Sequence, residues 1–256
     1  MSGETRVPVY KRIAVISDIH SNKLALEAVL QDIEARNAEL IVNLGDSLFG
    51  PLEPLATAGL LMQRTDLINI MGNCDEVLLQ EQCTSLTYRY VKPLLSAAEE
   101  NWIRSHHAVW SCEDLLFCHG TPSDNGSYLL ERVQPGGGAV YKQPEQLAME
   151  LHRIEERIVF CGHSHVFHSI TLPGGRRIVN PGSVGLPAYE EEEPYFHVME
   201  SGTPCASYCM CSRHNDGEDW IIEHVLVKYE WEQAAAQAEH NGRLDYAAAI
   251  RSGRMK

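Results

Sequence analysis

Five times along this chain a short apolar run stops in a polar loop that opens on Asp, Asn or His. Residues 12–17, "RIAVIS", run into Asp18, Ile19 and His20; "ELIVNL" runs into Gly45 and Asp46; "DLINIM" runs into Gly72 and Asn73. Further on, "DLLFC" ends in His119, and "RIVFC" ends in Gly162, His163, Ser164 and His165. Each run is too short for a helix and rich in β-branched residues, so each reads as a buried strand. After the first, Leu26, Val29, Leu30 and Ile33 recur at i, i+3, i+4 and i+7, and Ser21 or Asn22 is placed to cap that helix. A second helical stretch covers 55–63. Strand, loop, helix, strand, loop is a βαβα pattern, which predicts an α/β fold with a largely parallel sheet and helices on its faces.

The rest of the chain gives weaker signals. Residues 77–110 read as helical and irregular, "AVWSC" and "DLLFC" as strands, and Glu145–Glu156 as a helix. Pro135–Gly138, "PGGG", neither leaves a strand nor carries the Lys-Ser/Thr of a phosphate loop, so it reads as a flexible connection. "SITLPGGRRIVN" predicts a hairpin around Pro173–Gly175, with Arg176 and Arg177 solvated. "YFHVME", "ASYCMC" and "WIIEHVLVKY" predict antiparallel strands, the last two joined at "NDGE", while Glu190–Glu193 reads as a solvated loop. An alanine-rich helix is expected over Glu232–Ile250. With no linker or repeat, 1–256 reads as one domain, with 77–142 as a variable cap or pocket region and 231–256 as a C-terminal helical segment.

Composition narrows the function classes. At 256 residues, 44% hydrophobic and 22% charged, the chain lies far from disordered and fibrous compositions. A formal charge of −14 repels phosphate backbones, so stable nucleic-acid binding is not expected. The start, "MSGETRVPVYKR", carries no signal-like apolar stretch, and no run approaches the ~18 apolar residues of a membrane span. A cytoplasmic location with no membrane contact is the expectation. The eight cysteines are then reduced thiols, and Cys205, Cys209 and Cys211, at period two, are expected to pack on one face of a strand.

Ligands in open α/β sheets gather at the carboxyl ends of strands. There stand Asp18, His20, Asp46, Asn73, His119, His163 and His165, all oxygen or imidazole donors. A single strand-end Asp is ordinarily a turn former, and a single sheet His ordinarily structural. Five such loops together suit two divalent metal ions, of zinc, manganese or iron type rather than calcium, with a carboxylate able to bridge ions ~3.5–4 Å apart. The i, i+2 spacing in "DIH" and "HSH" puts both side chains on one side of an extended segment. Gly45, Gly72 and Gly162 remove bulk where the backbone turns.

The ordered blocks "DIH", "GD", "GNCD", "HG" and "GHSH" resemble the calcineurin-like metallophosphoesterases, whose signature is DxH, GD, GNH(D/E), a separate His and GHxH. "NPGSVG" at 180–185 and the "GDxxxGP" form of the second block make the chain similar to the small bacterial and archaeal phosphodiesterase branch. The resemblance implies a β-sandwich of two mixed sheets flanked by helices, a four-layer αββα arrangement. It implies that Asp18, His20, Asp46 and His165 hold one metal, and that Asp46, Asn73, His119 and His163 hold the other, Asp46 bridging. Manganese is the expected ion, with iron, zinc, nickel or magnesium as alternatives. A hydroxide between the ions would attack a small phosphorylated substrate, a phosphodiester or a nucleotide anhydride, and Asn73 and His119 would lie near it.

One block departs from the signature. Phosphatase-type relatives have His where this chain has Cys74, and an Asp three residues after the bridging one, where this chain has Phe49. A Cys beside an Asn fits no nucleophile arrangement, and losing both members of that pair argues against a protein Ser/Thr phosphatase and for leaving groups of low pKa. A non-catalytic metal-binding scaffold is the alternative from another class. Asp75 could orient a ligand or a backbone amide, or cap a helix, and His168 could reach substrate or serve the strand. Homo-oligomerisation is left open.

Overall fold

The computed structural model describes residues 9–215 and 217–255. Asp216, in the "NDGE" turn, the first eight residues and Lys256 lie outside the described residues. Along the chain come β1 (Arg12–Ile16), α1 (Lys23–Ala35), β2 (Leu40–Asn43), α2 (Pro54–Met62), β3 (Leu67–Asn69), α3 (Asn73–Leu79), α4 (Leu86–Val91) and α5 (Ala97–Arg104). Then follow β4 (Val109–Cys112), β5 (Leu115–Cys118), β6 (Glu131–Val133), β7 (Ala139–Tyr141), α6 (Pro144–Glu150), β8 (Ile158–Phe160), β9 (His168–Thr171) and β10 (Arg177–Asn180). The last are β11 (Ala188–Glu191), β12 (His197–Glu200), β13 (Ala206–Ser212), β14 (Ile221–Val227), α7 (Trp231–His240) and α8 (Leu244–Ser252).

Two five-stranded sheets form, in the orders β14-β13-β1-β2-β3 and β4-β5-β8-β10-β9. Strands β1, β2 and β3 are parallel, as the βαβα pattern requires, and so are β5, β8 and β10. Antiparallel strands complete both sheets: β13 pairs with β1 in the register Arg12↔Ser212, and β9 pairs with β10 in the expected hairpin. Both sheets are therefore mixed.

The sheets face each other across one apolar layer. Ile13, Val15, Leu40 and Val42 from the first meet Leu115, Phe117, Ile158, Phe160 and Val179 from the second. On the outer face of the first sheet, Ala14, Ile16 and Ile41 pack against Leu26, Val29, Leu30 and Ile33 of α1, the residues whose spacing predicted that helix. Leu116, Val159 and Ile178 cover the outer face of the second with Leu147 of α6. Helices, sheet, sheet, helix give the four-layer sandwich. Among the described residues no helix is long and apolar enough to cross a membrane.

Several elements differ from the sequence expectation. The helix predicted over Glu145–Glu156 ends at Glu150, because Arg176 is not solvated but donates through its guanidinium to the carbonyls of Leu151, Ile154 and Glu156, holding that segment as a turn. Arg177 likewise donates to Ser169. The "PGGG" connection is the turn of the β6–β7 hairpin, and Glu190 and Glu191 belong to β11, paired with β12 in a two-stranded ribbon. The C-terminal helix is two helices, since Asn241 and Gly242 break it and Gly242 takes a left-handed φ of 76°. Cys209 and Cys211 are buried in the inter-sheet core, whereas Cys205 precedes β13 and is half-buried.

Candidate metal centre

The loops after β1, β2, β5 and β8, and the β3–α3 junction, meet over the carboxyl ends of both sheets. Asp18, His20, Asp46, His119 and His165 are buried there, and Asn73 and His163 are half-buried. The extended backbone expected for "DIH" and "HSH" is not what forms. Asp18, His20, Asp46, His163 and His165 all take left-handed φ values, between 47° and 69°. That conformation costs an L-residue ~1–2 kcal/mol, and backbone bonds between the loops offset it: Asp18 N–H donates to Gly45 and His20 N–H to Asp46, each at 3.0 Å. Gly45 and Gly72 permit the approach. Gly45 has φ 114°, and a Cβ on Gly72 would lie 2.0 Å from Asp46 Oδ1.

Three imidazoles are oriented by the same device. Nδ1 of His20 meets the Phe49 carbonyl at 2.7 Å, Nδ1 of His119 the Leu44 carbonyl at 2.9 Å, and Nδ1 of His165 the Leu186 carbonyl at 2.5 Å. A carbonyl can only accept, so Nδ1 carries a proton and Nε2 faces inward, where in the neutral ring its lone pair is available as metal-ligating histidines require. His165 Nε2 lies 3.2 Å from Asp18 Oδ1 and 3.1 Å from His20 Nε2. His119 Nε2 lies 2.9 Å from Asn73 Oδ1 and 3.5 Å from Asp46 Oδ2.

Two triplets have ligand atoms within 4.8 Å of one another: Asp18, His20 and His165, and Asp18, Asp46 and His119. Asp18 is common to both. Asp46 Oδ2 also stands between the groups, 3.9 Å from His20 Nε2 as well as near His119. His163 belongs to neither triplet; its Nε2 lies 3.1 Å from the Gly126 carbonyl, which leaves the lone pair of the neutral ring on Nδ1.

The charges fit cations. Asp18 Oδ1 is buried with no hydrogen-bond partner, although it faces two imidazole nitrogens. Burial would raise the Asp18 carboxyl, yet His165 outweighs it and holds the group at about 2. Burial is likewise outweighed at Asp46, whose carboxyl His119 lowers strongly. At His119 burial opposes the charged ring, but Asp46 lifts it to about 9. The cluster thus recruits positive charge onto its own histidine, and a divalent ion meets the same demand without a proton.

Around this cluster, Asp75 fills both of its sequence alternatives, capping α3 at Gly72 and holding the backbone amide of Asp46. It accepts from the backbone N–H groups of Gly72, Asp46 and Ser47, fastening the β2 and β3 loops together. The Cys74 N–H donates to Asp46 Oδ1 at 2.9 Å, while burial and Asp46 push its thiol up, away from a nucleophilic thiolate. His168 stacks on Tyr141 at 3.9 Å and does not line the cavity. Above the donors opens a cavity of about 740 Å³. Its walls include residues that no motif marks: Tyr128, which stacks on His163; Tyr189, which donates to the His163 carbonyl; and Arg243 and Tyr246 of the C-terminal helices. The loop spans 121–142 and 186–195 supply much of the lining, but from 77–110 only Ser85 and Thr87 reach it.

Two mixed sheets carrying a buried Asp–His–Asn cluster at their strand ends define an α/β sandwich with a candidate metal centre. Residues 12–203 match the Calcineurin-like phosphoesterase superfamily domain, and the chain belongs to that superfamily. It is 26% identical over 251 residues to "Uncharacterized protein MJ0912" of Methanocaldococcus jannaschii, covering 88% of this chain and 91% of that one. Its fold is similar to a metallophosphoesterase from Sphaerobacter thermophilus, with TM-score 0.70 and 22% identity over 92% of this chain and 99% of that one. A hypothetical protein, PH1004, from Pyrococcus horikoshii also shares the fold, with TM-score 0.70 and 15% identity over 96% and 99% of the two chains.

Proposed function

We propose that this chain hydrolyses phosphodiester or nucleotide phosphoanhydride bonds at two divalent ions, manganese by preference. Asp18, His20, Asp46 and His165 would hold one ion, and Asp46, Asn73, His119 and His163 the other. The observation that carries this reading is the unpartnered, buried Asp18 Oδ1 facing the Nε2 atoms of His20 and His165. When bound, such a pair of ions supplies Lewis acidity and an activated water.

The chain's own residues prepare that chemistry. Carbonyls of Phe49, Leu44 and Leu186 fix three imidazole tautomers, so no reorientation is needed on binding. Asp75, through three backbone amides, keeps Asp46 beside Gly72. Cys74 stays a neutral thiol and offers a leaving group little protonation, which favours anhydrides and activated esters. The cavity is of a size that encloses a nucleotide-scale ligand.

Purified protein supplied with manganese is expected to hydrolyse bis-p-nitrophenyl phosphate, with Asp46→Ala and His119→Ala abolishing turnover. Metal content per chain, measured beside activity, should approach two in the wild type. Wild-type turnover no higher than the variants on diesters, monoesters and dinucleoside polyphosphates would overturn the reading.

A further inference from the structure

Most donors around the cavity are already engaged. Tyr128 and Tyr189 hydroxyls meet at 2.5 Å, and the first also reaches His197 while the second serves the His163 carbonyl. Lys142 is held by Glu150 at 2.8 Å and the Tyr128 carbonyl at 3.1 Å. Glu190, Glu191 and Glu193 place carboxylates along the β11–β12 hairpin, where an anionic group would be repelled.

Arg243 is different. It immediately precedes α8 and lines the cavity, yet its side chain is only 16% exposed. Nε lies 2.9 Å from Asp245 Oδ1, Nη2 reaches Asp245 Oδ2, Nη1 donates to Thr87, and the guanidinium lies over the Tyr246 ring at 4.3 Å. The bonds to Asp245 and Thr87 use one of the two N–H groups on each terminal nitrogen. A guanidinium held in one orientation and partly withdrawn from water loses little entropy on gripping an anion. Arg243 and Tyr246 border the same cavity as Asn73, Cys74 and the metal-ligand candidates His20, Asp46, His163 and His165.

We propose that Arg243, oriented by Asp245 and Thr87, forms a subsite for a second phosphate, so that the substrate is a phosphoanhydride such as a nucleoside polyphosphate rather than a simple diester. This rests on the phosphoesterase reading above and selects within it. The reacting phosphate sits over the Asp–His–Asn cluster, and the adjoining phosphate extends toward Arg243 at the start of α8. Arg132 also borders the cavity, but it is exposed and has no ion-pair or hydrogen-bond partner among the described residues to hold it in place.

The test compares two substrates and one binding probe on the manganese-loaded protein. For Arg243→Gln, kcat/KM on a dinucleoside polyphosphate should fall about tenfold or more, the scale of one lost charge-assisted contact, while bis-p-nitrophenyl phosphate hydrolysis stays within about twofold. Arg243→Lys should show the same selectivity, since it keeps the charge but loses the fork. Calorimetry should show α,β-methylene-ADP binding the wild type more tightly than inorganic phosphate, and that preference disappearing in both variants. Equal losses on both substrates, no loss on either, or the selective loss appearing in Arg132→Ala instead would overturn the inference. Wild-type activity on the diester with none on polyphosphates would overturn it while leaving the phosphoesterase reading intact. Inactivity on every phosphoester would remove the reading itself.

Discussion

His119 sets how the centre responds to pH. Asp46 lifts its pKa to about 9 in the folded protein, against 6.5 ordinarily, so the metal-free fold binds a proton that the unfolded chain releases earlier. The stabilisation from that proton is complete below pH ~6.5 and is lost as pH rises through about 9. An incoming ion must displace the same proton. Apparent metal affinity should therefore climb by up to about tenfold per pH unit between pH ~6.5 and 9, read by competition with a chromophoric chelator. A flat profile would mean that His119 is already neutral. The ligands themselves were legible because an apolar strand that ends in Asp or His is a conspicuous pattern. Their left-handed backbone was not, because it arises from bonds between the loops after β1 and β2, which no local spacing encodes.

At the level of elements, the site depends on how closely the β3–α3 junction approaches the β2 loop. A methyl at Gly72 would meet the Asp46 carboxylate at 2.0 Å, and its φ of −81° allows alanine without backbone strain, so the collision alone decides the outcome. Gly72→Ala is expected to lose the ion that Asp46 and Asn73 would share, with a stability cost of about 1–3 kcal/mol from overpacking. Metal content by atomic emission checks this, and a full complement would show that the junction can shift. Helix α1 was readable from its apolar period. The α7–α8 pair was not resolved into two, although Asn241-Gly242 is a turn signal, because the alanines on either side continue the helical pattern. For the same reason Arg243 and Tyr246 were missed: nothing in sequence connects α8 with loops that lie far upstream.

At the scale of the molecule, the candidate ligands come from both sheets. Asp18, Asp46 and Asn73 follow strands of the first, and His119, His163 and His165 follow strands of the second. Bound ions would therefore tie the two sheets together at one edge of the shared core. With free metal at about a hundredfold over Kd, binding to the folded state alone adds about 2.7 kcal/mol, equivalent to roughly 5–10 °C in Tm for a chain of this size. Chelation should lower Tm by that amount in a thermal melt, and an unchanged Tm would mean that the ions do not hold the sheets. The division into two sheets was legible only through the ordered motif blocks, because the strand patterns predict a parallel run and separate hairpins and say nothing of which strands share a sheet.

The pairing of β1 with β13 has a further consequence. β1 sits at the centre of its sheet, between β2, which follows soon after it, and β13, whose Ser212 lies opposite Arg12. While the chain is being synthesised, every candidate ligand is present once His165 has emerged. The strand that supports Asp18 and His20 still shows an open hydrogen-bonding edge until Ala206–Ser212 arrives to cover it. Such long-range closure is slow and leaves an apolar edge exposed in the meantime. For a ribosome-bound chain the ligands are therefore complete well before the scaffold that can hold them.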